Sequence, residues 1–128
     1  MTEQYAAGLQ VAREMLGEQV ADSLEGSIGT TQFGLQRGEL ALDFVFGKLW
    51  TRPGLDRRAR SLVTLGILMG LGQTEELKIH VMAAIRNGCT VQEIEEAVYQ
   101  ATAYAGFPAA SQAASAAAQV LRANALID

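Results

Sequence analysis

The stretch Asp56-Arg-Arg-Ala-Arg-Ser-Leu-Val-Thr-Leu-Gly-Ile-Leu-Met69 decides how this chain folds. After its basic opening, Leu62, Val63, Leu65, Ile67, Leu68 and Met69 fall on nearly every side of a helix. Apolarity all round at helical spacing predicts a central, buried helix running from about Asp56 to Met69. Nowhere does the chain sustain the period-two alternation, rich in β-branched residues, that a half-buried strand needs.

Working outward, Leu9, Val11, Ala12, Met15 and Leu16 give a first helix over Gln4–Leu16. A break at Gly26 and Gly29, with Thr30 and Thr31 as candidate caps, precedes a second helix to about Leu49, weakened by Gly34 and Gly38. Trp50-Thr-Arg-Pro-Gly-Leu55 reads as a turn. Gly70-Leu-Gly72 ends the central helix, and Thr74 is the expected cap of the next, with Glu75 and Glu76 in its first turn. Asn87-Gly88 stops that helix. Thr90 with Glu93 forms a capping box for a fifth, to about Tyr104. Gly106-Phe-Pro108 then starts an alanine-rich last helix. The expectation is one all-α domain of about six helices over residues 1–128.

Composition narrows the function. Of 128 residues 49% are apolar, which excludes a disordered chain. Fourteen acidic against 10 basic residues give a net charge of -4, which argues against nucleic-acid binding. One cysteine, Cys89, allows neither an intrachain disulfide nor a thiolate metal cage. The longest apolar run, Ser61 to Leu71, is too short for a membrane span, and no leader-like segment opens the chain. A cytoplasmic protein without membrane contact is expected. The apolar content is high for so short a chain, so surface is expected to be left over for partner subunits.

Three features carry candidate chemistry. Arg52, Arg57, Arg58 and Arg60 surround Asp56, and the last three lie in the first turn of the central helix, where cations oppose the macrodipole. Guanidinium forks beside the free amides of a helix start suit a carboxylate, although the same arginines can pair with Asp or Glu of this or a neighbouring subunit. His80, the one histidine, shares a helix face with Leu77, Val81 and Ala84, and Glu76 stands one turn before it. There an imidazole is either a hydrogen-bonded core group or a proton carrier in a dry pocket. Glu39, Glu76 and His80 offer hard ligands, yet a single histidine argues against a metal centre. Third, the small residues of Tyr104-Ala-Gly-Phe-Pro-Ala-Ala110 let two helices approach closely. Cys89, with no resolving partner, reads as inert.

Several of these segments together resemble the carboxymuconolactone decarboxylase family: Trp50-Thr-Arg-Pro-Gly-Leu-Asp-Arg-Arg-Ala-Arg-Ser-Leu62, Glu75-Glu-Leu-Lys-Ile-His80, Asn87-Gly-Cys-Thr90 with Glu93-Ile94, and Tyr99-Gln-Ala-Thr-Ala-Tyr-Ala-Gly-Phe-Pro-Ala-Ala110. Tyr5-Ala-Ala-Gly-Leu-Gln-Val11 and Leu16-Gly17 resemble the family's start. The resemblance implies an all-α fold of the alkylhydroperoxidase D-like superfamily, assembled as a homo-oligomer, trimer or hexamer, with active sites near subunit contacts. It also implies a reaction without cofactor or metal on a small carboxylated lactone. Glu39, Arg57, Arg60, His80 and Gln100 match the family's pattern. On that footing His80, Glu39 and Glu76 are the expected catalytic residues, and Arg57, Arg60, Trp50, Phe44, Phe46, Gln100 and Tyr104 the expected substrate contacts.

For the namesake reaction, loss of carbon dioxide leaves electrons that delocalise into the lactone as a dienolate. An enzyme then needs a carboxylate clamp, donors for the oxyanion and an acid for carbon. Three departures from the family pattern alter the expected pocket. Ala41-Leu-Asp-Phe-Val-Phe46 replaces a polar, basic stretch, Glu18-Gln-Val-Ala21 a histidine-containing one, and Ser111 an asparagine. They keep open a tailoring decarboxylase, isomerase or cyclase acting on a bulkier, more hydrophobic lactone or polyketide-like substrate, and also a non-catalytic helical oligomer. The sister group of thiol peroxidases has a Cys-x-x-Cys pair where this chain has Gln73 and Glu76, which argues against disulfide-exchange chemistry.

Overall fold

The computed structural model describes residues 3–128. Those residues form seven α-helices and one π-helical segment, with no strand. They divide into two compact units, the first ending at Asp56 and the second running Arg57–Asp128.

In the first unit α1 (Glu3–Leu16) and α2 (Glu18–Gly26) meet at Gly17. Beyond a turn, α3 (Arg37–Leu40) continues into a π-helix, Ala41–Leu49. There the amides reach back five residues, as where Trp50 N–H donates to the Val45 carbonyl at 2.9 Å. Leu9, Ala12 and Met15 of α1 are buried, as are Leu42, Phe46 and Trp50, each such side chain contributing on the order of 1.5–3 kcal/mol when large and apolar. Gly8 makes this closeness possible, because a Cβ there would stand 2.0 Å from the Leu42 carbonyl oxygen. Across from α1, Glu18, Asp22 and Glu25 recur along one face of α2 and all pair with Arg13, the Asp22 contact at 2.8 Å and the Glu25 contact at 3.3 Å.

The second unit consists of α4 (Arg57–Leu71), α5 (Thr74–Arg86), α6 (Val91–Tyr104) and α7 (Phe107–Ala123). Its core joins Leu65 and Met69 of α4, Leu77, Val81 and Ala84 of α5, and Ile94 and Val98 of α6. From α7 come Ala110, Ala113, Ala116, Ala117 and Leu121; the small side chains leave room for the neighbouring helices. Gly88 and Gly106, at φ of 98° and 97°, turn the chain between helices in a conformation that other residues rarely adopt. The capping box forms as the sequence predicts: Glu93 N–H donates to Thr90 Oγ1 at 3.0 Å, and Thr90 N–H donates to Glu93 Oε1 at 2.9 Å.

Several expectations need correction. The stretch Glu18–Gly26, unassigned from sequence, is a helix of its own, so the described residues hold seven α-helices, not six. The second predicted helix starts at Arg37 and not at Thr30 or Thr31, since Gly29 and Gly34 adopt positive φ and the intervening chain turns. Gln73 is the N-cap of α5, which leaves Thr74 as its first helical residue. The central helix runs on to Leu71 and is not buried on every side: Ser61, Leu65 and Met69 face the core, whereas Val63, Ile67 and Leu71 are each more than half exposed.

Candidate functional site

His80 sits on the inner side of α5, between the buried Leu77, Val81 and Ala84, as its spacing predicts. Its side chain is 14% exposed. Its Nε2 lies 4.0 Å from Glu76 Oε2, one turn earlier, while Nδ1 is sealed from solvent. Burial, which disfavours the charged form, lowers the imidazole's pKa below the usual 6.5, and the Glu76 carboxylate opposes that shift only in part. The result is a mostly neutral imidazole at pH 7 beside a solvent-facing carboxylate. Such a group donates a hydrogen bond from one nitrogen and can accept a proton at the other.

At the start of α4, Arg57 and Arg60 stand three residues apart and so share one side of the helix, both partly buried. Arg58 points elsewhere, into an ion pair with Glu93. Cys89, buried, donates its thiol to the Arg58 carbonyl at 3.4 Å. The buried Ser61 Oγ accepts from Asn87 Nδ2 at 2.9 Å.

Gln100 and Tyr104 line a cavity of about 720 Å³ between α4 and α6, within the size range of small-molecule sites. Gly66 and Gly70 form one wall, Ala97 and Ala101 the other, and Glu93 and Glu96 bring acidic groups to it. His80 lines neither this cavity nor a polar cleft of about 600 Å³ between Thr74 and Lys78 of α5 and Ser111, Ser115 and Gln119 of α7.

The remaining expected site residues belong to the first unit. Glu39 accepts the Gly29 amide, and with Asp43 it raises the pKa of Tyr5, where loss of solvent contact is the larger cause. Phe46 and Trp50 are buried in the core, and Phe44 is exposed on the π-helix. Among the described residues no cluster of three His, Cys, Asp or Glu side chains is arranged to hold a metal ion. Sequence reasoning missed the role of Glu93 beyond its cap and the cavity wall on α4. The four-residue spacing of Gly66 and Gly70, matched by Ala97 and Ala101, was the available signal for the latter.

Fold and side chains together define an all-helical protein with one sheltered histidine and no paired thiols. The chain belongs to the carboxymuconolactone decarboxylase family, whose sequence profile matches residues 38–119. It is 38% identical over 121 residues to a 4-carboxymuconolactone decarboxylase of Acinetobacter baylyi, a match covering 94% of this chain and 88% of that protein. It is also 40% identical over 110 residues to a nitrosuccinic acid decarboxylase of Metarhizium robertsii, covering 85% of this chain and 75% of that protein.

Proposed function

We propose that this protein is a carboxy-lyase that removes carbon dioxide from a small dicarboxylate, a carboxylated lactone first of all, without a cofactor. Carboxy-lyase activity is supported by two decarboxylases at 38% and 40% identity over most of the chain. Their named substrates share a chemical logic. Each carries two carboxylates, one of which can leave as carbon dioxide while the bonding pair settles on oxygen, in a dienolate for the lactone or a nitronate for the nitro acid. The departing carbon needs no metal or electron-sink cofactor in either case, because the substrate is its own sink. A proton then returns to carbon.

The observation that carries this reading is the neutral, sheltered His80 with Glu76 one turn before it. The neutral imidazole donates a hydrogen bond to the developing oxyanion, takes up a proton from solvent water as negative charge builds beside it and delivers that proton to carbon, which restores the neutral ring and leaves hydroxide to the solvent, while Glu76 orients it. Arg57 and Arg60, on one side of the α4 start, hold the carboxylate that is retained. Gln100 and Tyr104 line the α4–α6 cavity, which His80 does not line, and so stand outside this set. The protein works as a cytoplasmic homo-oligomer, trimer or hexamer, in this reading.

Incubation of the purified chain with 4-carboxymuconolactone, without added metal or nucleotide, is expected to bleach its absorbance and release carbon dioxide. His80→Ala is expected to lower kcat at least about 100-fold with the helical circular dichroism unchanged. Full turnover in that variant would remove His80 from the mechanism. Inertness toward the lactone combined with turnover of nitrosuccinate would move the assignment to the second kind of substrate, which the 40% identical relative favours.

A further inference from the structure

Glycines hold the groove between α4 and α6 open. Gly66 and Gly70 sit inside α4, where glycine disfavours a helix relative to alanine, yet a Cβ at either position would meet nothing within 4 Å. No close approach within the chain calls for them; what they provide is room. On the facing helix Ala97, Ala101 and Ala105 keep the groove open over the same turns. From Leu62 through Gly66 to Gly70 the groove follows α4 for about 12 Å, the length over which a further helix packs into it. Among the described residues, the charged groups that line it are both carboxylates, Glu93 and Glu96. Glu93 is committed to Arg58 and to the α6 cap, whereas Glu96 is exposed. The space thus suits a helix with an apolar face and a cation at one end.

Such a face exists at the end of α3 and along the π-helix. Leu40, Phe44, Lys48 and Leu49 recur there every four or five residues, and all are exposed, Leu40 at 67% and Phe44 at 57%. We propose that this face of one copy packs into the α4–α6 groove of a second copy, with Leu40 and Phe44 over Gly66 and Gly70 and Lys48 against Glu96. This rests on the reading of the protein as a homo-oligomer. The same helix covers Val63 and Ile67, which are exposed on α4 beside the groove. Because the contact joins two different surfaces, each copy offers one face and one groove, and repetition closes a ring when the rotation fits.

Sedimentation velocity of the full chain over a dilution series tests the contact. Phe44→Glu is expected to shift the protein to monomer with its helical circular dichroism unchanged, because it carries a charge onto an apolar floor. Gly66→Leu works from the other side: its side chain enters open space, so the thermal midpoint should hold or rise while assembly is lost. Lys48→Glu and Glu96→Lys should each weaken assembly about three- to tenfold. An equimolar mixture of those two variants should associate more tightly than either alone, since each then offers the other an opposite charge. Recovery in the Lys48→Glu, Glu96→Lys double variant without recovery in the mixture would mean that the pair meets within one copy, and would overturn the proposal. Phe44→Glu and Gly66→Leu proteins that assemble like the wild type would overturn it too, leaving the homo-oligomer reading intact. A wild-type protein that stays monomeric at every concentration removes both.

Discussion

At His80, burial and charge pull the proton in opposite directions, and burial has the greater effect. The unfolded chain takes up a proton at the ordinary value of 6.5, whereas the folded chain does so only at lower pH. Between those values the unfolded state binds more protons, so this group's contribution to stability is complete above about 6.5 and is lost as pH falls through the folded value. The urea midpoint should therefore drop between about pH 7 and pH 5, and the drop should be smaller in His80→Gln. An equal drop in that variant would place the acid sensitivity elsewhere. Activity should follow the same proton: if the neutral imidazole is the working form, kcat falls on the acid side with a midpoint below 6.5. A kcat that falls instead on the alkaline side would make the imidazolium the working form. His80 and Glu76 were legible in the sequence because a spacing of four residues fixes their adjacency on any helix. The carboxylate of Glu39 was not legible in the same way, since its partners Gly29 and Tyr5 come from separate segments that only folding brings together.

Elements were legible wherever their ends carry local chemistry. The Thr90–Glu93 box was readable from two residues three apart, and the geometry forms as written. Thr90→Ala should cost about 1 kcal/mol, checked by the shift in urea midpoint; a loss below about 0.3 kcal/mol would mean that Glu93 alone satisfies the α6 start. Less legible was α2, which has only one buried residue, Ala21, and so no apolar stripe to announce it. It is marked by the acids Glu18, Asp22 and Glu25 at spacings of four and three, whose purpose becomes visible only once Arg13 is known to face them. The π-helix gives no composition signal at all, because its winding differs from an α-helix by one residue in hydrogen-bond reach. It meets α1 at Gly8, where no side chain fits beside the Leu42 carbonyl. Gly8→Ala is accordingly expected to destabilise the chain by about 1–3 kcal/mol despite the better helix propensity of alanine. A neutral or stabilising result would mean that α1 shifts freely on the π-helix.

At the scale of the whole molecule, the surplus of apolar residues divides between cores and surface. The all-round apolarity of α4 predicted burial on every side, yet Ser61, Leu65 and Met69 are buried and Leu62 and Leu68 only partly so. Val63, Ile67 and Leu71 recur every four residues as an exposed stripe, and Tyr104 and Phe107 add large exposed rings from the same unit. Periodicity reports that a side chain avoids water; it does not report whether its own chain or another one provides the cover. Exposed apolar side chains of this kind favour association, since each fully covered Ile or Leu contributes on the order of 1.5–3 kcal/mol. Sedimentation is thus expected to find a trimer or hexamer at micromolar concentration. Ile67→Glu, which buries an unpaired charge if the stripe is an interface, should shift the protein toward monomer while leaving its helical circular dichroism in place. A wild-type protein that sediments as a monomer would refute the interface. An Ile67→Glu variant that still assembles would instead place the subunit contacts away from the exposed side of α4.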